Sequence, residues 1–353
     1  MFGNDAFLQN LHGSVMAWVQ RRKVERQTAR QRETAVLAAI EQVVEKANPR
    51  IRLVSGYQKK LRPAVANALQ YIDGLVATIP EPIAIKHKAW FADPYLNAFF
   101  ATADEMQILF SRNVELREFF AQQAVAESYA VLAMTRREKG ILGMKMAGDI
   151  IQREVPQTTV SFGDHLVGMP TATEADTRAE LKRRALDFLV TRVLENILAL
   201  RTQRETLQQH RQILKIKLRV LQNKQRGLES LLQGGDDFEA ELNALQQKLA
   251  ENEQNLQELW EQMDELNDYV EHLHTVLADP QTYLSVTKVA LKLNRMGIKL
   301  DEHSTEEGHE ISFPEFTGGA QLKRVFVLVT YPRDEMLPQE RLRALTRSYL
   351  TSI

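Results

Sequence analysis

The 353-residue chain contains no cysteine. That removes disulfide staples, thiolate nucleophiles and cysteine-ligated zinc at once, and it suits a reducing compartment. Long apolar runs are missing as well: nowhere do 18 apolar residues follow one another, so no membrane-spanning helix is expected. The first ten residues, MFGNDAFLQN, carry an early acid and lack the basic start and apolar stretch of a secretory signal, so a cytoplasmic location is expected. The loops that mark common enzymes are absent too. There is no G-x-x-x-x-G-K-[ST] phosphate loop, no dinucleotide-binding glycine fingerprint, no G-x-S-x-G elbow and no EF-hand. No catalytic residue, cofactor or metal ligand is assigned, no small-molecule substrate is inferred, and the chain is expected not to be an enzyme. What remains is 44% hydrophobic and 26% charged at a net charge of −1, enough for one sizeable core with an extended arm or for two modest domains.

The arm is legible as a mirror. Reflected about Gly235, the residues Leu232, Leu228, Gln225, Leu221, Leu218, Leu214, Arg211, Leu207, Arg204, Leu200, Ile197 and Val193 fall on Phe238, Leu242, Leu245, Leu249, Asn252, Leu256, Leu259, Met263, Leu266, Val270, Leu273 and Leu277, each pair of numbers summing to 470. Alternating steps of three and four make a coiled-coil seam, and a mirrored seam about a Gly234-Gly235-Asp236 turn predicts an antiparallel hairpin within one chain. Charge agrees: Arg178 to Leu232 holds 13 bases against 5 acids, whereas Asp236 to Asp279 holds 13 acids against one base. Arms of opposite sign attract each other and repel copies of themselves. Thr177 with Glu180 has capping-box spacing at the start, Asp236 with Glu239 repeats it, and Pro280 marks the end. At 1.5 Å per residue the arms extend about 80 and 60 Å, so the longer one runs about 20 Å past its partner.

Outside the arm, residues 5 to 47 read as a long helix, with an apolar stripe of Phe7, Leu8, Leu11, Val15, Trp18 and Val19. A polar stretch, RRKVERQTARQR, separates it from a second stripe of Leu37, Ile40, Val43 and Val44. Asn48-Pro49 breaks the pattern, and a further helix to Val76 carries Pro63, predicting a kink or restart there. Asp93-Pro94 and Thr102 with Glu105 predict short helices near 94–100 and 103–110. The aromatics from Trp90 to Phe120 are read as core, and a helix is expected from 114 to about 153. Strand patterns follow in TTVSFGDHLVGM (158–169), read as a hairpin turning at Gly163-Asp164, and in 283–293, EISFPEF and 323–331. The expected fold is therefore mainly α with a small α+β base, the coiled-coil hairpin being inserted between strands of that base. The expected segments are 1–155 helical, 156–177 with 281–353 as the base, and 178–280 as the arm. Such an inserted arm resembles SMC-type ATPases in outline only, since those require the phosphate loop this chain lacks.

Residues 1 to 65 carry 12 bases against 5 acids, which makes them the candidate interaction surface: Trp18, Arg21, Arg22, Lys23, Arg50, Arg52, Lys59 and Lys60. Three readings stand side by side: a helix packed on the body with its charges in solvent, a basic amphipathic helix lying on anionic lipid, and phosphate contact with nucleic acid. The first is preferred and nucleic acid is disfavoured. The DEHSTEEGHE segment (301–310) holds imidazoles and carboxylates, but in loop spacing, so a solvated loop is preferred to a metal site. The functional expectation is a structural or scaffold protein whose rigid arm carries protein–protein contacts. A peripheral membrane protein anchored by the first helix is the alternative, and an undetected hydrolase comes third.

Overall fold

A computed structural model describes residues 30–147, 150–226, 235–261, 266–301, 304, 306–319 and 322–342. Trp18, Arg21, Arg22, Lys23 and Gly234 lie outside the described residues, as does the apolar stripe from Phe7 to Val19. In chain order the elements are α1 (30–47), α2 (Tyr57–Ala77), β1 (Ile83–Ala84), α3 (Pro94–Phe99), α4 (Ala103–Arg112), α5 (Val114–Gln122), β2 (Glu127–Ala147), β3 (Ile150–Thr171), α6 (Glu174–Arg226), α7 (Gly235–Glu261), α8 (Leu266–Ala278), β4 (Leu284–Leu293), β5 (His309–Gly318) and β6 (Leu322–Pro332). Three long helices thus stand between strands β3 and β4 of one sheet. The chain divides into two compact units cut differently from the three expected segments: Met1–Ala68 with Asp187–Asp279, and Leu69–Leu186 with Pro280–Ile353.

The second unit is built on a sheet of order β3-β2-β6-β5-β4, antiparallel throughout, with short β1 added parallel to β6. β6 is central, as its apolar sequence on both faces requires. Helices α3, α4 and α5 cover the sheet. Each is capped where its sequence calls for a cap: Asp93 accepts from the Tyr95 and Leu96 amides, Thr102 from Glu105, and Asn113 from Leu116. Their aromatics enter the core, so Phe99, Phe100, Phe110, Phe119 and Phe120 are buried against Leu132, Phe313, Val327 and Tyr331.

Two sequence expectations are corrected here. No helix runs from 114 to 153: α5 stops at Gln122 and β2 takes over five residues later. The stretch is rich in helix formers, yet Ala130, Leu132 and Met134 gain complete burial between β3 and β6, and packing overrides propensity. Gly140 and Gly143 fall within the stretch expected to be helical but sit in a strand; in a helix each would have cost about 1 kcal/mol. Nor does the chain turn back at Gly163-Asp164. β3 is a single 22-residue strand, and Asp164 (φ 52°) adopts the left-handed conformation beside a register shift against Ala133 and Thr135. A glycine-aspartate pair supplies a bulge with the same dihedral freedom it would give a turn. β2 pairs β6 only over Glu127–Met134; beyond that the hairpin is joined at Thr158–Val160 by residues 297–299, and farther out it is two-stranded, with Leu142 and Met144 exposed.

Tyr331 shows how tightly this core is closed. It is fully buried, stacks on Phe110 at 5.0 Å, donates to the Glu335 carbonyl at 2.9 Å and lies 3.1 Å from Ser111 Oγ. Burial pushes its hydroxyl pKa up to about 12. A raised folded value means stability present in full below the ordinary value near 10 and lost as pH rises toward 12, on the order of 2 kcal/mol. Tyr331→Phe should cost about 1–2 kcal/mol at neutral pH, because Ser111 and the Glu335 carbonyl each lose a partner. Urea midpoints at pH 8 and 11.5 check this: the alkaline loss should be smaller in the variant, and an equal loss would assign it elsewhere.

The first unit is helical. Pro63 is carried inside a continuous α2, and the expected restart does not occur. Asn48 caps a short 3₁₀ turn at Pro49–Leu53 through the Arg50 amide. Gln42 donates to Asp187 at 2.8 Å and Lys46 pairs with the same carboxylate at 3.0 Å. Asn67 donates to the Ala278 carbonyl at 2.8 Å. The start of α6, in the second unit, is displaced from its expected cap. Thr173, not Thr177, accepts from the Asp176 amide at 3.2 Å, while Thr177 is buried with its hydroxyl 2.6 Å from that of Thr171.

Candidate interaction surfaces

Along α6 from Ile197 to Leu221, the residues shielded from solvent are Ile197, Leu200, Arg204, Leu207, Gln208, Arg211, Leu214, Leu218 and Leu221; all others in that span are exposed. From Glu239 to Glu258 on α7 they are Leu242, Leu245, Leu249, Asn252 and Leu256. Apart from Gln208, these are the seam positions the mirrored spacing selects. Leu214 and Leu256, a mirrored pair, are 4% and 2% exposed. Lys215 Nζ lies 2.9 Å from Glu253, and the Arg201 guanidinium sits over the Tyr269 ring at 5.6 Å. Numbers rise on α6 as they fall on its partners, so the helices run antiparallel. Lys215 holds the Glu253 carboxyl below its ordinary range through that contact.

Of the basic candidates that are described, Arg52 and Lys60 have partners within the chain. Arg50 and Arg52 belong to the 3₁₀ turn, Lys59 and Lys60 to the first turn of α2. Arg52 is spent on Glu45 at 2.8 Å and Glu41 at 3.2 Å, which raise its pKa further. Glu41 also accepts from the Tyr57 hydroxyl at 2.7 Å, its carboxyl held low first by that bond and then by Gln58. Lys60 donates to Asn267 at 3.2 Å. Acids of α1 therefore neutralise part of the surplus that composition alone advertises. That pairing was invisible in sequence because Glu41 and Arg52 belong to different elements.

The second unit carries a cleft of about 600 Å³ that sequence reading did not find. Trp90, Phe91 and Phe99 form one side, Leu293, Met296 and Gly297 the other. Gly297 has φ +74°, and a Cβ there would stand 2.8 Å from the Val160 carbonyl oxygen, so only glycine lets this turn reach β3. Phe91 and Met296 are 69% and 81% exposed at its mouth. Two polar groups on its lining have partners within the protein, Asp93 capping α3 and the Trp90 indole donating to the Phe100 carbonyl at 3.0 Å, while Asn97, Ser161, Arg295 and His309 line it as well. His165, nearby in the core, bonds the Phe99 carbonyl at 2.8 Å and stacks on Phe100, and burial lowers its pKa. Its geometry is that of a packing residue.

Among the described residues no three or more histidines or acids converge as a metal site, and no helix is long and apolar enough to cross a membrane. In the 301–310 segment, Glu302, His303 and Thr305 lie outside the described residues. Comparison with protein families, characterised proteins and solved structures finds no match.

Proposed function

We propose that the chain is a non-enzymatic scaffold in which α6 pairs with α7 and α8 as a rigid antiparallel coiled coil, and that the flank of this arm carries protein–protein contacts. The observation that supports this is the shielding pattern: along α7 between Glu239 and Glu258 only the seam is covered, and the outward rows, including Glu241, Glu251 and Glu258, face solvent. An arm that buries a narrow stripe and displays a long acidic flank fits a spacer that engages a basic protein surface. Asn252 is buried at the seam with its carbonyl oxygen unpaired, a costly residue that fits a role in fixing register.

Closure of the hairpin is tested with cysteines, since the chain has none of its own. Leu221→Cys with Leu249→Cys should form a disulfide within one chain on mild oxidation; bonds only between chains would refute the hairpin. Function is tested by reversing the flank. In a variant with Glu241, Glu251 and Glu258 changed to Lys, a stoichiometric partner co-purified with the native protein should be lost while the Leu221–Leu249 bond still forms. Retention of that partner, or the absence of any from the native protein, would remove the flank from the proposal.

A further inference from the structure

A second stripe on α6 has no partner among the described residues. Leu198, Ile213, Ile216 and Val220 are 64%, 51%, 61% and 50% exposed. Between them lie Thr202 and Thr206, whose hydroxyls are turned back to the carbonyls of Leu198 and Thr202 at 3.0 and 2.9 Å, leaving their methyls outward. Together with Gln209 these positions step by three and four, so they form a continuous face, and Leu198, Thr202 and Thr206 line a shallow groove along it. The same face begins at Asp187, eleven residues or three turns before Leu198. There α1 is seated on it, through Gln42 and Lys46 on either side of the Asp187 carboxylate.

Those two contacts fix a register. Gln42 and Lys46 straddle the position mirrored to Asp187, so paired numbers sum to about 231. Carried toward the N-terminus at helical spacing, that register sets Ala29 opposite Thr202, Glu25 opposite Thr206, Arg22 opposite Gln209, Trp18 opposite Ile213, Val15 opposite Ile216 and Leu11 opposite Val220. By number alone, the apolar N-terminal stripe then aligns with the apolar part of the α6 face, and its polar interruption with the polar one. Charge follows the same alignment. Between Arg204 and Arg211, α6 has no base and one acid, Glu205, and this is the level at which Arg21, Arg22, Lys23 and Arg26 arrive; residues 1–20, which have no lysine or arginine, fall opposite the basic run from Arg211 to Lys224.

We propose that residues 8–29 of this chain occupy the second face of α6 in this register, continuing α1 and turning the arm into a three-helix structure between Thr202 and Asn223. Covering four exposed aliphatic side chains favours the segment in place over the segment free. The inference does not depend on what the arm binds, and it gives the Trp18 stripe a protein seat in place of a lipid one. The exposed positions make the test mild. In the full-length chain at low concentration, Val15→Cys with Ile216→Cys should close an intramolecular disulfide at least about tenfold faster than Val15→Cys with Gln209→Cys, which lies two turns off register. Bonds formed only between chains would assign the face to a second copy. Equal rates for the two pairs, or no bond in either, would overturn the proposal.

Discussion

Phe313→Ala should lower the stability of the sheet unit by about 3–5 kcal/mol. The side chain is 1% exposed and meets Phe162 at 5.4 Å and Phe99 at 6.2 Å, both edge-to-face, while Phe99 and Phe162 themselves meet at 4.9 Å. Its removal leaves a cavity walled by those two rings, which already meet each other, so neither can fill it without losing that contact. For a unit of this size the loss corresponds to a fall in Tm of about 6–20 °C. Phe91→Ala is the natural control, because that ring is 69% exposed at the mouth of the cleft and its loss should stay within about 0.5 kcal/mol. Calorimetry of the two variants checks the pair of values. Similar melting temperatures would mean that the aromatic cluster is not the centre of this core.

Glu315→Ala should cost about 2–4 kcal/mol, for an electrostatic reason. Arg136 holds Glu315 in a two-pronged contact, Nε to Oε1 at 3.0 Å and Nη2 to Oε2 at 3.2 Å, with the Glu315 side chain only 9% exposed. Truncation strands a guanidinium that cannot shed its proton and keeps only Glu138 beside it. The expected loss lies below the range for a fully dry pair because Arg136 is 19% exposed. Replacing both partners, Arg136→Met with Glu315→Leu, should recover most of it, since no charge is then left unpaired. Urea titrations of the single and double variants test this. A double variant less stable than Glu315→Ala would show that the pair contributes net attraction beyond relief of burial.

Where the arm is described, from Ile197 to Leu221 and from Glu239 to Glu258, its covered stripe was readable because its physics is one-dimensional. A seam needs only spacing and sign, and Leu200, Leu214, Leu245 and Leu256 announce both without knowledge of anything distant. The caps at Asp93 and Thr102 were readable for the same reason, since a cap is a contact between near neighbours. The β2–β3 hairpin was not. Met134, Leu142 and Met144 have no local reason to be extended, and β2 exists because β6, about 200 residues later, completes its ladder. Its two glycines, Gly140 and Gly143, were the available warning against a helix. The interaction surface suffered similarly: composition counted Arg52 and Lys60 as free positive charge, whereas tertiary structure supplies Glu41, Glu45 and Asn267 to meet them. The cleft at Trp90 depends on Gly297 approaching β3, a contact that no local pattern encodes.

The place of β6 at the centre of the sheet also sets a timetable for biosynthesis. Its left-hand neighbour, β2, is complete once the ribosome has passed Ala147, but β6 ends at Pro332, after all of α6, α7 and α8. At roughly 5–20 residues per second, the stretch from the end of β3 to the end of β6 takes on the order of 10–30 s to emerge. Throughout that interval Glu127–Met134 presents an open strand edge beside Ala130, Leu132 and Met134, all fully covered in the finished protein. The nascent chain therefore carries an adhesive half-sheet for many seconds, and slowing translation across the arm should increase its demand for chaperones and its losses to aggregation.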